Sequence, residues 1–151
     1  AVKIYPHGLE SQEYFLIENR QKTLFDTYLF TGGLAIWHID NNVSGNGDET
    51  HKLVDLEEAD GLAQMDANLN RGDAGDLFPG STVNRTFNDA SNPNSKDYAN
   101  ATTGVDVTNI SNSAATMTAD VALDDHELPQ RASAVEGMVR DSRCLVEELA
   151  H

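Results

Sequence analysis

The sequence has little cysteine, few basic residues and no long apolar run. Cys144 is the single cysteine among 151 residues, so no internal disulfide can form. This fits a reducing compartment or a secreted bacterial protein that is stabilised by ions instead. No segment approaches the roughly 20 apolar residues of a membrane span, so no membrane partner is expected. The first residues, AVKIYPHGLE, lack the basic and apolar regions of a signal peptide.

Basic residues are scarce relative to acidic ones. Lys and Arg total 10 against 25 for Asp and Glu, which gives a formal net charge of −15. A surface of that charge repels phosphates, so nucleic acid is excluded as an expected partner. Residues 40–76 hold ten of the carboxylates and two basic residues, Lys52 and Arg71. Such a cluster repels itself unless solvent or cations neutralise it.

Patterns of catalytic histidines are also missing. A zincin needs His-Glu-x-x-His on a helix, so that two imidazoles one turn apart face the metal. The one His-Glu pair, His126-Glu127, is followed by Pro129 and Gln130 instead. Neither a local signature of a serine or cysteine triad nor a glycine-rich phosphate loop is present. The sequence therefore predicts no zinc site and no enzyme activity.

Short apolar runs rich in β-branched and aromatic residues predict a mainly β fold with antiparallel sheets. The predicted strands are Glu13–Arg20, 32–40, 53–59, 103–111 and 115–123. Both faces of GLAIWHID are apolar, so we expect this strand at the centre of its sheet, with His38 as a hydrogen-bonded core histidine. Val107 and Ile110 share one face only if the chain bends near Thr108 or Asn109.

The first acidic loop, DNNVSGNGDETH over residues 40–51, spaces its oxygen donors as an EF-hand loop does. Asp40, Asn42 and Ser44 take the first, third and fifth positions, and Asp48 takes the ninth. The twelfth residue is His51 rather than Glu, and a strand precedes the loop, so this is not an EF-hand. Two alternatives stay open: a calcium site that includes Asp40, Asn42 and Asp48, or a polar turn.

The second acidic loop, DANLNRGDAGD over residues 66–76, predicts a calcium site. Two glycines in this loop allow sharp turns that aim oxygens inward, and a hard cation takes about 6–8 oxygen ligands. The candidate ligands are Asp66, Asn68, Asn70, Asp73 and Asp76. Loops as long as 61–98 are uncommon unless they are functional or held by a ligand.

The last segment changes to helical spacing. Its apolar residues are Val135, Met138, Val139, Leu145, Val146 and Leu149. Pro129 is the expected breaker before this helix and Ser133 its N-cap. The sequence thus predicts a β-rich domain over 1–125 and a linker with a C-terminal amphipathic helix over 126–151. The apolar stripe, with Cys144 on its buried side, is covered either by the β domain or by the same helix in a homodimer.

A series of motifs occurs in one order along the chain. They are EYFLIENRQ, FDTYLFTGGLAIWHIDNN, HKLVDLEEADG, RGDAGDLFPG, NPNSKDY, TGVDVTNIS and MTADV. Together they resemble the region after the catalytic helix in secreted zinc metalloproteases of the immune inhibitor A family, over about residues 13–121. The resemblance implies an extracellular location and structural calcium in the acidic loops. The catalytic helix itself has no counterpart here, and the tail after residue 124 has none in the family.

Three functional hypotheses follow from these observations. The first is a non-catalytic, calcium-stabilised module derived from a secreted metalloprotease, which binds an unknown partner. The second is a fragment that is active only when joined to a missing zinc-binding half of the protease. The third is a structural homo-oligomer assembled through the C-terminal helix.

Overall fold

Two antiparallel sheets make up the part of the chain that the computed structural model describes, residues 1–123 and 142–147. Sheet A consists, in spatial order, of β1 (Val2–Ile4), β2 (Glu13–Arg20), β3 (Gly33–Asp40) and β4 (Val54–Leu56). Sheet B consists of β5 (Val105–Thr108), β6 (Thr116–Leu123) and β7 (Ser142–Glu147), also in this order. The predicted mainly β fold with antiparallel sheets is confirmed.

Strand β3 lies inside sheet A, as its two apolar faces predict. It pairs with β2 over its whole length, from Asp40 opposite Glu13 to Gly33 opposite Arg20, and with β4 on its other edge. On the β4 edge, residues 37–39 pair with that strand and Leu34 exchanges hydrogen bonds with Phe78, so β3 has neighbours on both edges and both of its faces can be buried. Residue Ala35, on the face away from sheet B, is fully buried.

The predicted bend after β5 is present at Asn109. Strand β5 ends at Thr108, and Asn109 adopts a φ of 51°, which asparagine tolerates better than most residues. The bend returns Ile110 to the side of Val105 and Val107, and all three are buried. The connection that follows leads directly into β6, which pairs with β5 in antiparallel orientation.

The predicted C-terminal helix stays a prediction, because only residues 142–147 of that segment are described. Residues Ser142–Glu147 form β7, which pairs with β6 from Thr116 to Val121. The run SRCLVE fits the alternation of a strand as well as helical spacing, and pairing with β6 gives its backbone groups partners. The rest of the predicted helix and the predicted boundary at residue 125 lie outside the described residues.

The core lies between the inner faces of the two sheets. Its members from sheet A include Ile4, Phe15, Ile17, Leu34 and Ile36, and those from sheet B include Val105, Val107, Met117 and Ala119. The long connection from β4 to β5 contributes Phe78 and Phe87. Backbone hydrogen bonds of 2.8–2.9 Å join Phe78 to β3 and Phe87 to β5. These two anchors hold a long connection that contains no strand or helix of its own.

Helical structure is minor in the described part of the chain. Two single turns of 3-10 helix, Pro6–Gly8 and Leu24–Asp26, are the helical segments there. Among these residues no helix has both the length and the apolar character needed to cross a membrane.

Candidate metal centre

Two stretches of chain that are distant in sequence carry acidic side chains to one place. The first follows β4, where the backbone N–H of Glu57 donates to a carbonyl of β3 at 2.9 Å. Two residues later, the N–H of Ala59 donates to the carbonyl of Asp76, also at 2.9 Å. This bond brings Glu58 and Asp60 beside Asp76.

Glu58, Asp60 and Asp76 form a compact acidic cluster. One carboxylate oxygen from each lies within 4.8 Å of the others. Among the described residues, this is the one group of three or more acidic, histidine or cysteine side chains with that spacing. Glu58 and Asp76 are each only 4% exposed. Buried like charges at this distance disfavour one another's ionised form unless a positive charge joins them.

The turn that carries Asp76 is built from side-chain to backbone hydrogen bonds. The N–H of Asp73 donates to Oδ2 of Asp76, and the N–H of Gly75 donates to Oδ1 of Asp73 at 2.7 Å. Asn70 donates from Nδ2 to Oδ2 of Asp73 at 3.0 Å. Asp and Asn favour such turns because their short side chains reach backbone groups two or three residues away. The sequence NRGDAGD therefore folds locally so that Asp76 faces inward.

Glu58 and Asp60 have protein partners for most of their oxygens. The two oxygens of Glu58 accept the N–H groups of Gln64 and Met65, at 2.7 and 2.8 Å. Asp60 accepts the N–H of Leu62 at 3.0 Å through Oδ1. Each oxygen keeps a lone pair, since a carboxylate has about four acceptor sites. These bonds orient the two carboxylates and leave them able to bind a cation.

Asp76 differs from its neighbours because its Oδ1 is buried and has no hydrogen-bond partner. Leaving a buried acceptor unpaired costs about 1–3 kcal/mol, and more for a charged one. Burial raises the pKa of Asp76, and the charges of Asp73, Glu58 and Asp60 raise it further, against the opposing bond from the Asp73 N–H. A cation beside Oδ1 would give this buried oxygen a partner and would offset the repulsion from the neighbouring carboxylates.

The chemistry of this donor set fits a hard cation. All three side chains offer oxygen, with neither thiolate nor imidazole among them. Ca²⁺ takes about 6–8 oxygens in flexible geometry, whereas Mg²⁺ needs a near-ideal octahedron. Zinc prefers nitrogen and sulfur. Glu58, Asp60 and Asp76 would supply part of a calcium shell, with water or carbonyl oxygens completing it.

Only some of the residues predicted from the second acidic loop lie at the acidic cluster. Asp76 lies in the cluster, and Asp73 lies beside it and supports the turn. Asn70 is outside the cluster, because its Oδ1 accepts the N–H of Gly72 and its amide supports Asp73. Asn68 is exposed. The structure thus brings two of the five predicted side chains to the cluster or its edge.

Asp66, the remaining residue of that prediction, pairs with a lysine instead. Lys52 is only 8% exposed, and its Nζ contacts Asp66, Glu49 at 3.0 Å and Asp55 at 3.1 Å. Burial lowers the pKa of Lys52, but hydrogen bonds to Asp66, Glu49 and Asp55 outweigh this and raise it. The ammonium group of Lys52 therefore neutralises a second set of carboxylates, as a bound metal ion would.

The first acidic loop satisfies its carboxylates with protein donors. Oδ1 of Asp40 accepts both the N–H and the side-chain amide of Asn42 at 2.9 Å, and Oδ2 contacts Nε2 of His51 at 2.7 Å. Burial raises the pKa of Asp40, but these bonds outweigh it and lower the pKa. Asp48 accepts from the hydroxyl and N–H of Thr50, which lowers its pKa. Of the two alternatives, these contacts favour the hydrogen-bonded polar turn.

Sequence reasoning did not find Glu58 and Asp60 as candidate ligands. It placed Glu58 in a strand over 53–59, whereas β4 ends at Leu56. The signal was the EEADG stretch, in which acidic residues follow an apolar run and precede a glycine with a φ of +67°. This stretch meets residues 73–76 through tertiary contacts, which the spacing of residues along the sequence does not reveal.

His38 is a hydrogen-bonded core histidine, as predicted. Its Nε2 lies 2.8 Å from Oε1 of Glu13, and its Nδ1 lies 3.3 Å from Oε1 of Glu57. The ring is buried between Phe15, at a centroid distance of 4.6 Å, and Tyr98, at 4.3 Å. Both ring nitrogens are therefore engaged by carboxylates rather than available to a metal.

Comparison with known proteins gives no match to this arrangement. No family model matches the chain, and neither a curated protein nor a solved structure is detectably similar to it. The resemblance to immune inhibitor A metalloproteases therefore stays a prediction from the motifs.

Proposed function

We propose that this chain is a non-catalytic, calcium-stabilised interaction module of the kind found after the catalytic helix in secreted immune inhibitor A-type metalloproteases. The observation that supports it most directly is the buried, unpartnered Oδ1 of Asp76 beside Glu58 and Asp60. Its partner is unknown, and the extracellular location follows from the family resemblance. Calcium is the favoured ion because the donors are all oxygen.

The proposed role of the ion is to join two pieces of chain that have no regular structure. Glu58 and Asp60 follow β4, while Asp76 ends a turn in the long connection. An ion that binds only the folded state stabilises it by about 2.7 kcal/mol at 100 times its dissociation constant. In a domain of this size, that corresponds to a rise in Tm of roughly 2–4 °C per kcal/mol.

The proposal gives no catalytic role to His38 of β3 or to His51 of the first acidic loop. Both nitrogens of His38 contact glutamates, and Nε2 of His51 contacts Asp40. With a glutamate against each of its nitrogens, His38 has no ring nitrogen free to act as a general base. Hydrolysis of casein that is abolished by a chelator and restored by zinc would contradict this part of the proposal.

A second candidate is a fragment of an active metalloprotease whose zinc-binding half is missing. It is favoured by an apolar cavity of about 210 Å³ on the outer face of sheet A, lined by Trp37, Leu56 and Leu77 among others. Phe30, which also lines the cavity, is 61% exposed, and nearby in sequence Tyr28 is 94% exposed. Exposed apolar surface of this kind often marks a protein interface. An in-frame His-Glu-x-x-His helix upstream in the gene would favour this candidate.

The deciding experiment compares thermal unfolding in millimolar calcium and in EDTA, together with metal analysis of the purified protein. We expect calcium to raise the Tm of the native chain and to have a much smaller effect on Asp76→Asn. Glu10→Gln, which removes an exposed carboxylate outside both acidic loops, is the control and should respond as the native chain does. Identical unfolding curves in calcium and EDTA would overturn the proposal.

A further inference from the structure

The apolar cavity on the outer face of sheet A has the size of one large side chain. Strand β3 lines it with Ala35 and Trp37, β4 lines it with Leu56, and the long connection contributes Met65 and Leu77. Its volume is about 210 Å³. Sites for whole small-molecule ligands have volumes of about 300–1,000 Å³, so this cavity is better suited to a single side chain of a larger partner.

The segment before β3 exposes apolar side chains beside this cavity. Phe30 lines the cavity while most of its ring faces solvent, and Leu24, earlier in the same segment, is 74% exposed. Phe, Trp, Met and Arg are enriched where proteins bind one another, and residues of all four types line the cavity. Its composition is therefore that of a protein interface.

Hydrogen bonds to Glu18 hold the lining in place. Nε1 of Trp37 donates to Oε1 of Glu18 at 3.0 Å, and Nη1 of Arg20 donates to the same oxygen at 3.1 Å. Nη2 of Arg20 donates to Oδ1 of Asp26 at 2.8 Å, which ties the segment before β3 to β2. Both carboxylates thus have a basic partner. A lining that is arranged before a partner arrives loses less entropy on binding.

Arg71 gives the cavity a positive charge that no neighbour neutralises. It lines the cavity and is exposed. In residues 1–123 and 142–147, no ion pair or hydrogen bond links its side chain to another residue. Nζ of Lys22 lies 3.5 Å from the carbonyl oxygen of Phe30, which brings a second cation to the same surface. In a chain with a net charge of −15, these cations beside an apolar cavity favour an acidic partner there.

The acidic cluster borders the same cavity. Asp73 and Asp76 line it, and Gly72 lies between Asp76 and the aromatic ring of Phe30. A Cβ on Gly72 would be 3.1 Å from Oδ2 of Asp76 and 3.3 Å from Cδ2 of Phe30. A calcium ion at the cluster would offset the two negative charges on this side. Arg71 would then set the sign of the charge that a ligand meets at the cavity.

We propose that this cavity binds an acidic segment of a partner protein, whose large apolar side chain enters beside Trp37 and Phe30 and whose carboxylate pairs with Arg71. The inference rests on the proposed function, because it names the class of partner that the interaction module binds. A guanidinium group donates two parallel hydrogen bonds to one carboxylate, which fixes the orientation of the segment. The buried apolar side chain supplies most of the affinity, and the charge selects acidic segments.

Trp37 reports binding directly, because it lines the cavity and is the only tryptophan of the chain. Its indole N–H gives a single NMR signal, which is followed in the full chain in millimolar calcium. The probe is an acetylated, amidated pentapeptide with phenylalanine between two pairs of glutamates. We expect it to shift the Trp37 signal and to bind at least about tenfold more tightly than the same peptide with alanine in place of phenylalanine.

Exposed residues separate the charge from the apolar contact without disturbing the core. Arg71→Glu should weaken binding of the acidic peptide at least about fivefold, because an attraction becomes a repulsion. Lys96→Glu makes the same change in net charge outside this cavity and should leave the affinity unchanged. Phe30→Ala should also weaken binding, whereas Leu9→Ala, at a residue that is 55% exposed and does not line the cavity, should not.

Unfolding of the same samples in calcium and in EDTA keeps the two proposals apart. A Tm that rises in calcium, with no shift of the Trp37 signal by the peptide, supports the calcium site and overturns the docking site. Peptide binding without an effect of calcium on the Tm supports the docking site and overturns the calcium site. The docking site is also overturned if the alanine peptide binds equally well or if Arg71→Glu and Lys96→Glu weaken binding equally. A Trp37 signal that shifts with protein concentration alone would make a second copy of the chain the occupant and would overturn it too.

Discussion

Oδ2 of Asp60 occupies the space that a side chain on Gly75 would need. A Cβ built on Gly75 would overlap the Asp60 carboxylate and would lie 3.1 Å from Oδ1 of Asp73. The φ of Gly75 is not in the left-handed region, so the requirement for glycine here is purely steric. The GDAGD motif therefore keeps Gly75 small so that acids from two stretches of chain can meet.

We accordingly predict that Gly75→Ala destabilises the protein and weakens its response to calcium together. Overpacking of a buried site typically costs about 1–3 kcal/mol, and here it also displaces Asp60 from the cluster. Urea unfolding in calcium and in EDTA measures both effects. Gly47→Ala is the control, because nothing lies within 4 Å of a Cβ at that position. Equal stability of the Gly75→Ala and native proteins would contradict the geometry.

The ionisation of Asp76 should be visible in the pH dependence of the free energy of unfolding without metal. Its folded-state pKa is raised from the ordinary value of 3.8, so its contribution is greatest below that pH and is lost as pH rises through the folded value. In EDTA, the native chain should therefore lose stability relative to Asp76→Asn on going from about pH 4 to pH 7. Calcium, which binds the ionised form, should reverse the trend. Other carboxylates, including Asp40 and Asp55, are common to both proteins and largely cancel in the difference.

Replacement of Lys52 by a neutral residue should make the protein more strongly stabilised by calcium. In Lys52→Gln, the ammonium group that joins Asp55 and Asp66 is absent, and these carboxylates repel each other. We expect a loss of about 1–3 kcal/mol in EDTA, limited because Asp66 is partly exposed and screened by solvent. Millimolar calcium should recover more of this loss than it adds to the native chain, as measured by chemical unfolding. Equal calcium responses would show that Lys52 does not substitute for an ion.

Truncation after Asp125 tests the two alternatives for the C-terminal segment. It removes β7 and leaves β6 with an unpaired edge, and exposed strand edges promote self-association. With Ser142–Glu147 as a strand, we expect the truncated chain to be less stable and to have a larger mass by light scattering. If the predicted helix instead holds a homodimer together, truncation converts a dimer into a monomer. Truncation thus raises the mass measured by light scattering in the first case and lowers it in the second.

The sequence alone predicted strands at the positions of β2, β3, β5 and β6, and a longer strand around β4, whereas β1 was not predicted. Alternating apolar residues and β-branched composition report local burial, which is a short-range property of the chain. The position of His38 followed from the same pattern, because a histidine inside an apolar strand must be hydrogen-bonded to be buried. The bend at Asn109 followed from the change of phase between Val107 and Ile110.

The C-terminal segment was ambiguous for a physical reason. The run from Ser142 to Glu147 is compatible with strand and helix, and a short apolar run does not distinguish them. Over residues 142–147 the edge of β6 is the partner, and a strand edge offers hydrogen bonds to a strand but not to a helix. That edge is not visible in the local sequence.

The acidic side chains show most clearly what only the tertiary structure decided. Composition located the acidic region, and spacing selected Asp73 and Asp76. Tertiary contacts decided that Asp66 pairs with Lys52, that Asp40 pairs with His51, and that Glu58 and Asp60 join Asp76. Charge is a property of each residue, whereas its partner depends on which distant segment the fold brings within a few ångströms.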